Sequence, residues 1–166
     1  MKSLKELNRE RKFEEKLSRL QYLNRHQEIG SKNWKKAQIK IARLHRKIAN
    51  IRKDVLHKLT TYLAKNHSKI VIEDLNVKGM LANHKLAKAI ADMGFYEFRR
   101  QLEYKCQLFG SQLVIVDRWF PSSKTCSNCG VKKEKLSLSE RTFHCDSCGF
   151  ECDRDLNASI NLACIG

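Results

Sequence analysis

Four cysteines in the last third of the chain form two pairs whose spacing is that of a metal site. The pairs are Cys126 with Cys129 and Cys145 with Cys148, and fifteen residues separate the pairs. Two such turns bring four thiolates to one point, which is the ligand arrangement of a zinc ribbon. Gly130 and Gly149 follow the pairs and supply the backbone freedom that each turn needs. Four thiolates leave no coordination position for water or substrate, so the spacing predicts a structural zinc ion.

Two acidic residues lie where a catalytic carboxylate could lie. Glu73 ends an apolar run, and functional groups in open parallel sheets gather at the carboxyl ends of strands. Glu73 could equally cap a helix or face solvent. Asp155 lies near the start of the last predicted helix, close to Asp153, and there the alternative role is that of a helix N-cap. Position alone leaves both alternatives open.

The charge of the chain points to a polyanionic partner. Lys and Arg number 33 against 18 Asp and Glu, which gives a formal net charge of +15 in 166 residues. Nucleic acid is the commonest polyanion that a basic protein meets. No apolar run approaches the roughly 20 residues that a bilayer span needs, and the first residues lack the apolar region of a signal peptide. We therefore expect a cytoplasmic, nucleoid-associated protein in which Cys106, Cys152 and Cys164 are free thiols.

A helical hairpin is predicted for the first part of the chain. From Trp34 onward, apolar residues recur every three or four positions. They are Trp34, Ala37, Ile41, Leu44, Ile48, Ile51, Val55, Leu59 and Tyr62. Phe13, Leu17 and Leu20 repeat the pattern upstream, and Ser31 is placed to cap the second helix. Between positions 32 and 58 there are ten Lys or Arg and one acid. A solvated helix face usually mixes charge signs, so this bias favours contact with nucleic acid.

The middle of the chain predicts a strand, helix and strand unit. The β-branched run at 70–72 and the run at 113–116 are typical of buried parallel strands. Between them, a helix with Phe95, Leu102 and Phe109 on one face should end at Gly110. In the ribbon we expect short hairpin strands near 136–138 and 141–143. A last helix from 153 to 165 should turn Ile160 and Ala163 inward.

Three ordered motifs resemble the carboxyl-terminal half of OrfB/TnpB-type insertion-sequence transposases. The motifs are the Ile-Val-Ile-Glu-Asp-Leu-Asn-Val run at 70–77, the Asp-Arg-Trp-Phe-Pro-Ser-Ser-Lys-Thr-Cys-Ser-Asn-Cys-Gly run at 117–130, and the Cys-Gly-Phe-Glu-Cys-Asp-Arg-Asp-Leu-Asn-Ala-Ser-Ile-Asn run at 148–161. Members of this family are RNA-guided nucleases regarded as ancestors of type V CRISPR effectors. The resemblance implies roles in transposition and DNA recombination, with DNA and a guide RNA as partners.

The resemblance also implies a fold and site residues. The fold class is α/β, a ribonuclease-H-like (RuvC) domain with a helical hairpin and a zinc ribbon inserted before its last helix. Glu73 and Asp155 match the second and third catalytic acids of a magnesium-dependent DNA endonuclease, and Asp153 and Asn157 match groups that support them. Two magnesium ions held by carboxylates can activate a water and stabilise the leaving oxygen of a phosphodiester. Trp119 and Phe120 could stack bases, although an aromatic pair beside a zinc turn is more often part of a core.

The sequence departs from the family pattern at its start. The first catalytic acid of the family lies in a Gly-Ile-Asp-type motif upstream of the hairpin, and this sequence has none. We therefore expect a partial RuvC-like domain that lacks its first strands and is inactive alone, either a transposase remnant or a partner of a separately encoded amino-terminal half. The alternative is a zinc-ribbon protein that binds DNA or RNA without cutting it.

The same reasoning divides the chain into four predicted parts. They are a basic helical hairpin at 1–66, a partial RuvC-like unit at 67–120, the zinc ribbon at 121–152 and the closing helix at 153–166.

Overall fold

The structure is a computed structural model that describes residues 4–137 and 139–165. Helices and strands follow one another in mixed order through this part of the chain. In chain order they are α1 Leu4–Arg25, α2 Lys32–Asn66, β1 Lys69–Glu73, α3 Val77–Leu81, α4 Ala87–Met93, α5 Phe95–Phe109, β2 Gln112–Val116, β3 Thr142–His144, β4 Glu151–Asp153 and α6 Arg154–Ala163. None of the described helices is both long enough and apolar enough to cross a membrane.

The first two helices form the predicted antiparallel hairpin. Ser31 caps α2, since its side chain accepts a hydrogen bond of 3.1 Å from the backbone of Trp34. Arg52 of α2 reaches back to Glu10 and Glu14 of α1 at 2.6 and 2.8 Å, and to Asp92 of α4 at 2.6 Å. The apolar seam faces α1 over the predicted central positions. These are Ile41, Leu44, Ile48, Ile51 and Val55, all buried.

The last turns of α2 bury a different face from the predicted one. Tyr62 is 60% exposed, whereas Thr60 and Ala64 are buried. The prediction for Tyr62 was wrong because this end of α2 packs against α5 instead of α1. There the Thr60 hydroxyl lies 2.9 Å from Gln101, and the Lys105 ammonium donates to Thr60 at 2.7 Å. Burial lowers the pKa of Lys105.

Strands β1 and β2 pair in parallel, as predicted, and α5 connects back to them. The register aligns Lys69 with Gln112 and Glu73 with Val116. Gly110 ends α5 in the left-handed conformation, with φ of 76°. A small core fills the space between helices and sheet. Its buried members are Ala64, Ile70, Leu102 and Cys106.

The two strands are less buried than their apolar runs predicted. Ile70 and Val116 are buried, but Ile115 is 36% exposed. The reason is that this sheet has two strands in the part of the chain that the structure describes, so each strand has one edge without a paired strand. The division of the chain at residues 66, 120 and 152 stays a prediction.

The ribbon contains an antiparallel pair, and one of its two strands is a predicted one. β3 overlaps the strand expected at 141–143, but its partner is β4 and not the strand expected at 136–138. β3 pairs with β4, so that Phe143 lies opposite Cys152. Positions 136 and 137 are not strand, and Leu138 lies outside the described residues. The pairing differs because the fully buried Phe143 packs with Phe150 and Cys152, which bring β4 beside β3.

The closing helix buries an amide where apolar contacts were expected. Asn157 is fully buried, whereas Ile160 is 37% exposed and Ala163 is exposed, so the predicted inward face was wrong. Polar contacts with the ribbon determine which face of α6 is buried. The spacing of apolar residues does not reveal such contacts.

Candidate metal centre and carboxylate cavity

The four predicted thiol ligands converge in the structure. The sulfur atoms of Cys126, Cys129, Cys145 and Cys148 all lie within 4.8 Å of one another. Cys126 and Cys148 are 3.7 Å apart at their sulfurs, and Cys129 and Cys145 are 3.6 Å apart. A tetrahedron with zinc–sulfur bonds of about 2.3 Å has edges of about 3.8 Å. The cluster therefore has the size and the donor set that zinc needs.

The two turns that carry these cysteines have the same backbone pattern. Gly130 donates to the carbonyl of Cys126 at 2.9 Å, and Gly149 donates to that of Cys145 at 2.9 Å. The two glycines have φ of 76° and 71°, in the left-handed region where a side chain would be strained. The predicted need for glycine after each pair is confirmed.

Contacts of their sulfur atoms shift the pKa values of Cys148 and Cys129 in opposite directions. The backbone amide of Phe150, with the Asn128 side chain, lowers the pKa of Cys148 to about 6. The amide of Val131 acts in the same direction on Cys129, but hydrogen bonds with the neighbouring sulfurs and burial raise the pKa of Cys129 to about 12. Since zinc binds thiolates, binding would release protons from this cluster.

Glu73 and Asp155, the two predicted catalytic acids, line one cavity of about 700 Å³. Glu73 reaches it from the carboxyl end of β1, and Asp155 from the first turn of α6. Apolar side chains of α2, α3 and α5 form much of the remaining wall, among them Leu59, Val77 and Phe98. Two hard oxygen donors in one open space suit magnesium.

Glu73 is tied to the segment that leads into the ribbon. Its carboxylate accepts a hydrogen bond of 2.5 Å from the Ser122 hydroxyl, and Ser122 is itself buried. The backbone carbonyl of Ser122 accepts from Asn161 of α6 at 2.8 Å. One buried serine thus connects β1, the start of the ribbon and the closing helix.

Asp155 and Asp153 have different environments although they are two residues apart. Asp153 caps α6, since its carboxylate accepts hydrogen bonds from the backbones of Asp155 and Leu156 at 2.9 and 3.0 Å. The Asp155 side chain is 80% exposed and lies 3.7 Å from Arg154. Asp153 therefore has the helix-capping role that its position allowed, and Asp155 keeps an accessible carboxylate.

Asn157 joins α6 to the ribbon. Its side-chain oxygen accepts from the backbone of Ser127 at 2.9 Å, and its side-chain nitrogen donates to the Thr125 carbonyl at 2.7 Å. Asn161 donates to the same carbonyl at 2.7 Å. In this structure Asn157 thus positions α6 against the ribbon. Its predicted contact with a magnesium site stays a prediction.

The thiols are the one converging ligand group in the described ranges 4–137 and 139–165. No set of three or more Asp, Glu, His or Cys that contains Glu73 or Asp155 converges there. A metal site built on these two acids therefore needs a further ligand or several waters.

Sequence reasoning missed an ion-pair cluster beside the two acids. Asp74 receives hydrogen bonds from Arg118 and, at 2.6 Å, from Arg99. The hydrogen bond from Arg118, with a smaller contribution from Arg99, lowers the pKa of Asp74. Both arginines line the cavity. No local signal reveals this cluster, because its members come from three separate segments.

The basic face of α2 and the aromatic Trp119 are open to solvent. Lys36, Lys40 and Arg43 are exposed, on the face away from the apolar seam. Trp119 is 84% exposed and Phe120 is 36% exposed. A core role for Trp119, which the sequence favoured, is therefore wrong.

Two family models match the chain, and together they cover most of it. One described as "Probable transposase" matches residues 2–84, and one described as "Cas12f1-like, TNB domain" matches residues 95–162. The fold and the thiol cluster define an α/β protein with a candidate zinc ribbon. The chain belongs to the OrfB/TnpB-type transposase family.

Named relatives support the same family. The chain is 50% identical over 137 residues to a protein of Streptomyces pristinaespiralis named "Putative RNA-guided DNA endonuclease", with 82% of the chain and 34% of that protein covered. It is 39% identical over 175 residues to "Putative RNA-guided DNA endonuclease InsQ" of Escherichia coli (strain K12), with 96% of the chain and 43% of that protein covered. The chain therefore spans less than half the length of these curated relatives.

A solved structure shares the fold. The chain is similar to a chain in "Cryo-EM structure of CRISPR-Cas12f Ternary Complex" with a TM-score of 0.68 and 22% identity, over 94% of this chain and 32% of the other. The predicted α/β fold with a RuvC-like unit and a ribbon is thus confirmed.

Proposed function

We propose that this chain contributes Glu73 and Asp155 to a magnesium-dependent DNA-cleaving site of the RuvC type. The observation that carries the proposal is that both acids, from separate elements, line one cavity. The family assignment of the chain and the names of its relatives support the reaction class. Guide RNA and target DNA are the partners that these names suggest, and zinc held by the four thiols would keep the ribbon folded.

The two acids would hold the metal from two separate elements, β1 and α6. Magnesium bound there would neutralise charge on a phosphodiester and make a water more acidic. Glu73 is oriented by the Ser122 hydroxyl, which leaves its second oxygen for a ligand. Asp155, being exposed, can turn toward the same point.

A third acid is needed to complete the site, and the edge of β1 is where we place it. β1 pairs with β2 along one edge, and no described strand pairs with the other. An apolar strand with an open edge favours pairing with a further strand. We infer that a strand carrying the first acid, supplied from outside these 166 residues, pairs with β1 and brings its carboxylate beside Glu73.

Binding of nucleic acid without cleavage is the second candidate function. The exposed, mainly basic face of α2 favours it, because the residues between positions 32 and 58 include ten Lys or Arg against one acid, and all of these Lys and Arg except Arg52 are exposed. Such binding requires the hairpin and the ribbon but no third acid.

Complementation separates the two functions. The chain is mixed with a fragment from a complete relative that carries the first strand and its acid, and cleavage of target DNA is measured with guide RNA and magnesium. We expect cleavage by the mixture and none by the chain alone. Glu73→Gln or Asp155→Asn should abolish it, because each removes a negative ligand at nearly constant shape.

The matched control is Asp146→Asn, which neutralises an exposed ribbon carboxylate outside the cavity. Cleavage should survive this change. Cleavage that persists in Glu73→Gln would show that Glu73 is not part of the cleaving site. A folded mixture that binds DNA without ever cutting it would instead favour the binding protein.

A further inference from the structure

An arginine at the mouth of the carboxylate cavity has donors that no described residue uses. Arg99 is shared between Asp74 and Glu103, at 2.6 and 3.0 Å. Arg118 contacts Asp74 through one terminal nitrogen. Its other two nitrogens make no hydrogen bond within the described ranges. Arg118 therefore has two nitrogens left for an anion, whereas Arg99, which bonds through two of its nitrogens, has one.

Asp74 holds Arg118 in place at the cavity. The backbone amide of Asp74 donates to the Val116 carbonyl at 2.9 Å, which fixes it to the end of the sheet. Its carboxylate bridges Arg99 and Arg118, so the Arg118 guanidinium is oriented before any ligand arrives. Arg118 lines the same cavity as Glu73 and Asp155. A phosphate group near the two acids would therefore lie beside a fixed guanidinium.

The next residue offers an aromatic surface. Trp119 is 84% exposed, the highest value among the exposed large apolar side chains of the described residues. Its backbone amide donates to the Asp117 carboxylate at 2.8 Å, which fixes the turn that carries it. An exposed indole on a fixed turn is a surface on which an unpaired base can stack.

We propose that Arg118, positioned by Asp74, binds a backbone phosphate of a single strand of nucleic acid whose neighbouring base stacks on Trp119. The proposal deepens the proposed function, on which it rests, by naming the residues that lead a strand to Glu73 and Asp155. Charge complementarity supports this occupant, because the chain carries a formal +15. A single strand is required since stacking needs a base face that is not covered by a neighbouring base.

Fluorescence of Trp119 tests the contact in the full chain. The sequence has two tryptophans, so Trp34→Phe leaves Trp119 as the one indole. In that background, short oligothymidine and oligouridine strands are titrated in the absence of divalent metal. We expect saturable quenching of Trp119, and the two strands distinguish DNA from RNA as the source of the phosphate.

Charge removal at Arg118 gives the decisive comparison. Arg118→Gln should weaken the binding that Trp119 reports by about tenfold, since it removes a charge-assisted hydrogen bond. It should also reduce the slope of log affinity against log salt by about 0.7, the value for one phosphate contact on a single strand. Arg100→Gln is the control, because Arg100 is an ion-paired arginine of similar exposure, 49% against 40%, outside this cavity. Both quantities should stay unchanged in the control.

A double-mutant cycle tests Asp74 as a positioning residue. Asp74→Asn alone should weaken binding by about threefold, because the Arg118 guanidinium loses its fixed orientation. In the Arg118→Gln background the same change should have no further effect on affinity. A merely structural role for Asp74 would lower affinity equally in both backgrounds, and that result would overturn its assigned role.

A second probe separates failure of this inference from failure of the proposed function. Anisotropy of a labelled strand reports binding anywhere on the chain. Anisotropy binding with unquenched Trp119, or with Arg118→Gln as tight as the control, would overturn the inference and leave nucleic acid binding intact. No binding by either probe would also overturn the inference, and the complementation experiment would then decide the proposed function separately.

Discussion

At the scale of single residues, the structure separates side chains that hold the fold from side chains that stay accessible. Asp153 and Asn157 are engaged by α6 and the ribbon, whereas Asp155 is 80% exposed. The position of a polar residue within the segment 153–157 is therefore a poor guide to what its side chain does. Neighbouring polar residues in one short segment have different functions.

Zinc content should depend on the paired cysteines. Changing Cys126 and Cys129 together to Ser should reduce bound zinc from about one ion per chain to none, because two thiolates cannot hold a closed tetrahedral site. Cys164→Ser, at an exposed thiol, is the control and should keep its zinc. Metal analysis of the purified proteins measures both. Retention of zinc by the double variant would contradict this assignment.

Asn157 should stabilise the chain without contributing to zinc binding. Asn157→Ala leaves the buried partners of its amide unsatisfied, so we expect the free energy of unfolding to fall by about 2 kcal/mol. Asn66→Ala removes a hydrogen bond from an exposed asparagine and should change it by less than about 0.5 kcal/mol. Chemical denaturation measures both values, and zinc content should be unchanged. Equal effects from the two variants would argue against the buried role.

At the scale of elements, α5 depends on polar contacts as much as on its apolar face. Gln101 and Lys105 are buried on it beside Leu102 and Cys106. Glu97, in its first turn, binds Arg100 and Gln101. Gln101 and Lys105 also contact Thr60 of α2, at 2.9 and 2.7 Å, and these two contacts fix how α5 lies against α2.

Glu97 should make the stability of the folded chain depend on pH in the acid range. The hydrogen bond from Arg100, and then that from Gln101, lowers the pKa of Glu97 to about 2. Because this pKa is depressed in the folded chain, the stabilisation is present above the unfolded value of about 4.3 and is lost as pH falls toward about 2. The stability difference between the chain and Glu97→Gln should therefore shrink over that range.

The measurement is chemical denaturation of both proteins at a series of pH values from about 6 down to about 3. Comparing the pair at each pH cancels acid effects on the ribbon, which both proteins share. A difference that stays constant through this range would show that Glu97 is not held ionised by Arg100.

At the scale of the whole molecule, positive charge lies on helix faces that do not pack against other elements. The exposed side of α2 carries Lys36, Lys40 and Arg43, while its opposite side packs on α1. Lys47 differs from them, since its ammonium lies 5.7 Å from the centre of the Phe13 ring.

Reversing this charge should weaken nucleic acid binding while the fold persists. Changing Lys36, Lys40 and Arg43 to Glu removes up to three phosphate contacts, so affinity should fall by more than about tenfold at moderate salt, with a shallower salt dependence. The control reverses the same number of charges elsewhere on the surface, at the exposed Lys16, Lys85 and Lys88. Electrophoretic mobility at several salt concentrations measures both. Equal weakening by the two triple variants would show that net charge alone matters.

The sequence predicts helices, strands and turns well, but it predicts poorly which of them pack against each other. Apolar spacing predicted the α2 seam, and glycine positions predicted the two thiol turns, since both signals are local. Periodicity cannot say which partner a face meets, so the change of face at Thr60 and the pairing of β3 with β4 were not foreseen. The contact between Arg118 and Asp74 joins positions 44 residues apart, and only the folded chain shows it.

The Thr125 carbonyl, which accepts hydrogen bonds from both Asn157 and Asn161, has a consequence for the order of folding. The chain is made from its amino end, so Glu73 and its sheet can form before α6 exists. If zinc binding closes the ribbon, the carbonyl would be in place to dock α6 only after zinc has bound. The placement of Asp155 in the cavity beside Glu73 would therefore come late in folding, and it would depend on the supply of zinc. A zinc-starved cell would accumulate chains with an undocked last helix and an open apolar wall, the kind of surface that leads to aggregation and proteolysis.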